Sequence, residues 1–150
     1  MCECDIIFRR AVEADLCAMV KMLSDDPIGV AREVPAEPLP KAYLDAFRAI
    51  SVDNNQLLVV AANSKTIVGT MQLSFIPGLA HTGTWRGQIE AVRVLKKYRN
   101  TGLGRRMLRW GIERCKEKGC SIVQLTTDKK RTNAHRFYNS MGFVASHEGY

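Results

Sequence analysis

Apolar residues recur along this chain with two periods, and the switches between them lay out its elements. Ile89, Ala91, Val92, Val94 and Leu95 mark a strand over residues 87–95. The chain then passes through Arg99-Asn100-Thr101-Gly102-Leu103-Gly104-Arg105. Leu103, Met107, Leu108, Gly111, Ile112 and Cys115 follow with helical spacing, which predicts a helix over residues 102–118. Gly119 stands where a helix C-cap glycine belongs. Residues 121–127 read as the next strand, 128–132 as a basic loop and 133–141 as a short helix. Ala134, Phe137, Tyr138 and Met141 share one face of that helix, Gly142 follows it, and residues 143–148 read as a final strand.

The first half is patterned in the same way. Residues 4–10 alternate around Ile6 and Phe8 as a first strand, and Val12, Leu16, Met19, Val20 and Leu23 keep helical spacing. Prolines and Gly29 make residues 24–40 a loop. Tyr43, Leu44, Phe47 and Ile50 predict a second helix. Residues 56–62 and 66–75 form two apolar strands, with Asn63-Ser64-Lys65 as the hairpin turn, and 76–86 reads as a polar loop. The order β-α-α-β-β-β-α-β-α-β combines antiparallel hairpins with one βαβ unit. It predicts a single α+β domain over residues 1–150, of three-layer α/β/α type, around a mixed central sheet. There is no internal repeat or low-complexity tract.

The strand–turn–helix passage carries chemistry. Such a turn aims consecutive backbone N–H groups into one concavity, and the helix dipole adds positive potential, so an anion is favoured there. Gly102 and Gly104 permit close approach, while Arg99 and Arg105 add charge. A P-loop is excluded, because Arg105-Arg106 stand where Lys-Ser/Thr would be needed. A dinucleotide fingerprint is excluded too, because Met107 occupies the position of its third glycine.

Arg99-Asn100-Thr101-Gly102-Leu103-Gly104 resembles the pyrophosphate-binding signature of the GNAT superfamily of acyl-CoA N-acyltransferases. Some thirty residues on, Asn133-Ala134-His135-Arg136-Phe137-Tyr138-Asn139-Ser140-Met141-Gly142-Phe143 is similar to that family's second signature. The resemblance is sharp over residues 86–144. It implies acetyl-CoA as co-substrate and direct transfer to a primary amine, on a small molecule or alternatively on a protein or peptide. A non-catalytic CoA-binding module is the other alternative. It also implies that backbone N–H groups of Thr101, Gly102, Leu103, Gly104 and Arg105 grip the pyrophosphate, with Arg99 and Asn100 in the same turn. Backbone groups of Val92, Arg93 and Val94 would pair with the pantetheine amides in a gap between two splayed parallel strands. Lys96 replaces a proline common in the family, a mild departure. The family closes with two strands after the second motif, whereas eight residues follow Gly142 here, so a strand is either missing or shared in a homodimer.

Tyr138 has two readings. A phenol with an ordinary pKa of about 10 suits protonation of a leaving thiolate, and the resemblance places the equivalent tyrosine beside the cofactor sulfur. Its apolar helix face equally suits a packing aromatic. Asn133 is a good N-cap residue, and the resemblance also sends its amide to the pantetheine arm. Glu90, in a strand that otherwise reads as buried, is a candidate base with a raised pKa if desolvated. It could equally bind a cationic amine or be structural. His81, Trp85 and Arg86 lie in the loop that would face the acceptor.

Composition sets the outer bounds. At 46% hydrophobic and 25% charged residues the chain is that of an ordinary globular domain. No apolar run reaches the roughly 18 residues of a membrane span, and Met1-Cys2-Glu3-Cys4-Asp5 lacks a signal-peptide layout, so a cytoplasmic location is expected. Five scattered cysteines suit buried thiols, and no cysteine or histidine spacing points to a metal. The net charge of +7 raises nucleic acid as a partner. However, much of it surrounds the phosphate turn, where a polyphosphate ligand explains it better.

Overall fold

The computed structural model describes residues 6–25, 29–64 and 66–149. Five strands form one sheet in the order of the chain: β1 (Ile7–Arg10), β2 (Gln56–Ala62), β3 (Ile67–Pro77), β4 (Trp85–Val94) and β5 (Cys120–Leu125). The first four are mutually antiparallel, and β4 and β5 are parallel. The parallel pair is joined by helix α3 (Leu103–Glu117), the βαβ unit expected from the sequence.

Helices α1 (Leu16–Ser24) and α2 (Lys41–Val52) cover one face of the sheet. Leu16 and Met19 pack with Val60, and Leu44 and Phe47 lie against the same cluster. Helix α3 covers the other face with Leu103, Met107, Leu108 and Cys115, all buried against Met71, Leu73 and Ile89. The helix comes close there: a Cβ on Gly87 would stand 2.3 Å from Cys115 Sγ. A further helix, α4 (Thr132–Ser140), sets Phe137 and Tyr138 against this second core. Cys115 and Cys120 are buried thiols, and burial pushes Cys115 up to about 11. Cys2 and Cys4 lie outside the described residues.

Several boundaries differ from expectation. The segment 76–86 is not all loop: β3 continues to Pro77 and β4 begins at Trp85, paired in register. Between them His81, Thr82 and Gly83 all take left-handed φ, at 52°, 60° and 76°. Of the predicted first strand, Ile7–Arg10 is strand, and residues 4 and 5 lie outside the described residues. The predicted final strand over 143–148 does not form. Residues 143–149 pair with no strand among the described residues, and β5 remains the outer strand of the sheet.

Asp15 fastens the entry to α1. Its carboxylate accepts hydrogen bonds from Arg9 Nη1 at 2.7 Å, Arg9 Nη2 at 3.0 Å and the Val12 N–H at 2.9 Å. The Arg9 bond is the main reason that its pKa lies below the ordinary 3.8, against the opposing effect of burial. A depressed carboxylate stabilises the fold at pH values above its unfolded pKa, and this contribution is lost as pH falls through the folded value. Asp15→Asn should therefore cost about 2 kcal/mol at neutral pH, a fall in Tm of roughly 4–8 °C. The gap from wild type should narrow on acidification, and thermal melts at pH 7 and pH 3 check this.

Candidate active site

Strand β4 is paired on both sides only over its first half. Its parallel ladder with β5 runs from Trp85↔Cys120 to Ile89↔Leu125 and stops. On the other side the ladder with β3 continues, but Gln72↔Glu90 is followed by Thr70↔Arg93. One extra residue is thus accommodated in β4, and Ala91 takes φ 51° to do so. The bulge changes the alternation: Ile89, Val92 and Val94 all turn to the α3 side. Beyond Ile89 the strand parts from β5, and the edge of Val92, Arg93 and Val94 facing away from β3 has no strand beside it among the described residues.

The far end of this gap is the turn before α3. Thr101 Oγ1 donates to Tyr98 O at 2.8 Å, Asn100 takes φ 64° and Gly102 takes φ 89°. No side chain caps α3, and its first intrahelical bond is Arg106 N–H to Gly102 O at 3.1 Å. The N–H groups of Leu103, Gly104 and Arg105 therefore have no intrahelical acceptor, an arrangement that favours an anion.

The predicted charged side chains are used differently. Arg99 Nε donates to Val94 O at 3.0 Å and its Nη2 to Asp25 Oδ2 at 2.9 Å, so the guanidinium ties the turn to β4 and to the end of α1. Arg105 reaches the C-terminal end of α4, with Nη2 3.0 Å from Ser140 Oγ and Nη1 3.1 Å from Met141 Sδ. Arg106 lies over the Phe8 ring. Arg114 pairs with Glu117 and Lys116 with Glu113. Much of the basic density around α3 is thus spent within the chain.

Tyr138 sits half-buried on α4, its ring centroid 5.3 Å from that of Phe137 and 6.0 Å from that of Phe143. Burial raises its pKa above the ordinary 10.0, while the charges of Arg93 on β4 and Arg131 pull it the other way. The hydroxyl is therefore protonated at neutral pH and faces cationic neighbours. Asn133 is not the N-cap of α4. Arg131 holds that position, and Asn133 lies exposed in the first turn, with Oδ1 accepting from Arg136. The Glu90 side chain is exposed rather than desolvated.

The sequence reading missed a polar row across the sheet. Met71 and Leu73 face α3, each within 3.4 Å of where a Cβ on Gly111 would stand, so Thr70, Gln72 and Ser74 face the other way. Register aligns Gln56, Ser74, Gln88 and Gln124 across four strands, with Gln72 opposite Glu90. Ser74 Oγ donates to Gln56 Oε1 at 2.7 Å, Gln72 Nε2 to the same oxygen at 3.1 Å, and Gln124 Nε2 to Gln88 Oε1 at 2.7 Å. The alternation Thr70-Met71-Gln72-Leu73-Ser74 was the available signal.

The parallel pair of this mixed sheet parts, and the helix that follows begins without a side-chain cap, so backbone groups at both places are presented to a ligand. Residues 16–143 match the acetyltransferase (GNAT) family, and the chain belongs to it as an acetyltransferase. It is 33% identical over 107 residues to the aminoalkylphosphonate N-acetyltransferase of Salmonella typhimurium, covering 71% of this chain and 69% of that protein. Among solved structures it is similar to one described as a transcriptional regulator from Bacillus halodurans, at 48% identity, TM-score 0.94 and 97% coverage of each chain. It is also similar to a Trypanosoma brucei acetyltransferase, at 26% identity, TM-score 0.78 and 97% coverage of each. Among the described residues, no group of three or more His, Cys, Asp or Glu side chains could hold a metal ion, and no helix is long and apolar enough to cross a membrane.

The two turn glycines should separate folding from binding. Gly102→Ala forces a Cβ into a left-handed residue and should cost about 1–2 kcal/mol in urea unfolding. A Cβ on Gly104 meets Phe137 at an ordinary 3.6 Å. Gly104→Ala should leave stability unchanged or raise it by up to about 1 kcal/mol. It should still weaken acetyl-CoA binding in calorimetric titration, because the methyl group stands between Val94 and Phe137 and narrows the gap beside β4.

Proposed function

We propose that this chain transfers the acetyl group of acetyl-CoA to the primary amine of a small polar acceptor, by direct attack in a ternary complex. One observation carries this reading: β4 parts from β5 beyond Ile89 over a gap that ends at the uncapped start of α3 and lies beside Tyr138. The edge of Val92, Arg93 and Val94 has no strand beside it and would present backbone groups to the pantetheine amides; Val92 O already accepts from Arg93 Nη1 and Val94 O from Arg99 Nε, each carbonyl keeping a second lone pair. The N–H groups of Thr101, Gly102, Leu103, Gly104 and Arg105 hold the pyrophosphate. Holding both ends of the arm fixes where the thioester lies, and this positioning is a large part of the rate enhancement.

Acetyl-CoA supplies an activated acyl group. The chain must then move two protons. Tyr138 holds one on a phenol above its ordinary range, ready for a departing thiolate of somewhat lower pKa. Glu90 stands beside Gln72 and Gln88 at the open end of the polar row. It takes the amine proton, directly or through a water, or anchors the ammonium form before the proton is lost. The row of amides and hydroxyls suits a small, strongly hydrated amine better than an apolar peptide side chain. The Salmonella relative's named acceptor class, aminoalkylphosphonates, is of that kind.

An acetyl-CoA consumption assay over aminoalkylphosphonates, polyamines, amino acids, amino sugars, aminoglycosides and peptides tests the acceptor. Aminoalkylphosphonates should show the highest kcat/KM, and turnover of peptides alone would contradict the reading. With an acceptor in hand, Tyr138→Phe should lower kcat by roughly 10- to 10⁴-fold with little change in KM for acetyl-CoA. Glu90→Gln discriminates the two roles of the carboxylate. Loss of kcat together with the acidic limb of the pH profile marks a base, and a raised amine KM at constant kcat marks an anchor.

A further inference from the structure

Strand β4 carries a charge pattern on the face turned away from α3. Gly87 and Ile89 meet the core under α3, so Arg86, Gln88 and Glu90 lie on the opposite face. Along the strand they present a guanidinium, an amide and a carboxylate in that order, with neighbours about 6.6 Å apart. The middle position is widened by Gln124 of β5, whose Nε2 donates to Gln88 Oε1 at 2.7 Å. That bond takes one N–H of Gln124 and the carbonyl end of Gln88. The second Gln124 N–H and the two on Gln88 Nε2 are donors for a ligand. Gln72, opposite Glu90, gives one N–H to Gln56 Oε1 and carries another. The middle of the row is thus rich in hydrogen-bond donors and has no charge of its own. Glu90 is exposed at one end. Arg86 is half-buried at the other, its Nη1 3.7 Å from where a Cβ on Gly78 would stand. Gln88 and Gln124 line the same open groove, of about 1340 Å³, that Tyr138 lines.

We propose that this face selects a dipolar acceptor. The amine lies at Glu90, beside the gap, and an anionic group a short chain away rests on the N–H groups of Gln88 and Gln124, on the side of Arg86. The proposal rests on acetyl transfer to a small amine and adds the sign and the place of the acceptor's second charge. The anion meets neutral amides first, so hydrogen-bond geometry fixes its distance from the amine, and Arg86 adds a favourable field from the next position on the strand. An amine without an anion leaves these donors to water. A diamine turns its second cation toward Arg86 and the N–H groups, an unfavourable placement that rejects it. A phosphonate and a carboxylate share the chemistry this row recognises.

Steady-state kinetics on the full chain with aminoethylphosphonate, β-alanine, ethanolamine and putrescine tests this. The first two carry an anion, ethanolamine replaces it with a hydroxyl and putrescine with a second cation. The better of the two anionic amines should exceed ethanolamine in kcat/KM by about tenfold or more, the effect of a charge-assisted hydrogen bond. Putrescine should be the poorest of the four. The faster anionic amine identifies the anion as phosphonate or carboxylate. Gln88→Leu and Arg86→Gln should each cut the ratio of kcat/KM for that amine to kcat/KM for ethanolamine by about tenfold or more, and Arg86→Lys should restore part of it. A ratio cancels any general loss of folded protein, and the order of the four amines in the unmodified protein needs no variant at all. Ethanolamine or putrescine turned over as fast as the anionic amines overturns the proposal. So does a ratio that neither substitution changes. Turnover of peptides alone overturns the acetyl transfer to a small amine on which the proposal rests, a result distinct from indifference among the four amines.

Discussion

The left-handed Ala91 resolves two demands that one regular strand cannot meet. Over Trp85–Ile89, β4 must pair on both sides to hold the sheet together. Over Val92, Arg93 and Val94 it must stay paired with β3 yet release β5. A single inserted residue does this by turning the strand on one side only. A left-handed alanine costs about 1–2 kcal/mol, and the packing of half-buried Val92 and Val94 on the core that includes Leu103 and Met107 holds it in place. The gap is therefore a built feature of a well-packed sheet, not a frayed edge.

The turn before α3 depends on the same bend, since it begins where β4 has moved away from β5. Here the arginines act mainly as fasteners. Arg99 clasps Val94 O and Asp25, and Arg105 joins the start of α3 to the end of α4. Fixed in this way, the uncapped N–H groups need no rearrangement to meet an anion, and the helix bearing Tyr138 keeps its distance from them. Preorganised dipoles of this sort are worth more than mobile charges, because no ordering cost falls on the binding or reacting step.

The sequence made the elements legible wherever the pattern was local. The apolar stripe of α3, the cap at Gly119 and the hairpin of β2 and β3 all stand where periodicity placed them, and Gly119 takes φ 87°. What it concealed depends on neighbours. The bulge is hinted at only by Ala91 and Val92 falling together in an otherwise alternating strand, and the polar row becomes visible only once register aligns four strands. Residues 143–148 have a strand pattern, yet they pair with no strand among the described residues. Glu90 lies in a strand whose apolar pattern reads as buried, yet beside the bend at Ala91 its side chain is exposed. Arg99 and Arg105 lie in the expected turn, but sequence could not say that Asp25 and Ser140 occupy their side chains.

The central claim is that the parting of β4 from β5 receives the pantetheine arm and the start of α3 receives the pyrophosphate. Amide hydrogen exchange with and without acetyl-CoA tests it most directly. New protection is expected at Val92, Arg93 and Val94 and at Thr101, Gly102, Leu103, Gly104 and Arg105, with the already paired amides of β2 unchanged. Binding of acetyl-CoA that leaves both groups of amides exchanging as before would contradict it.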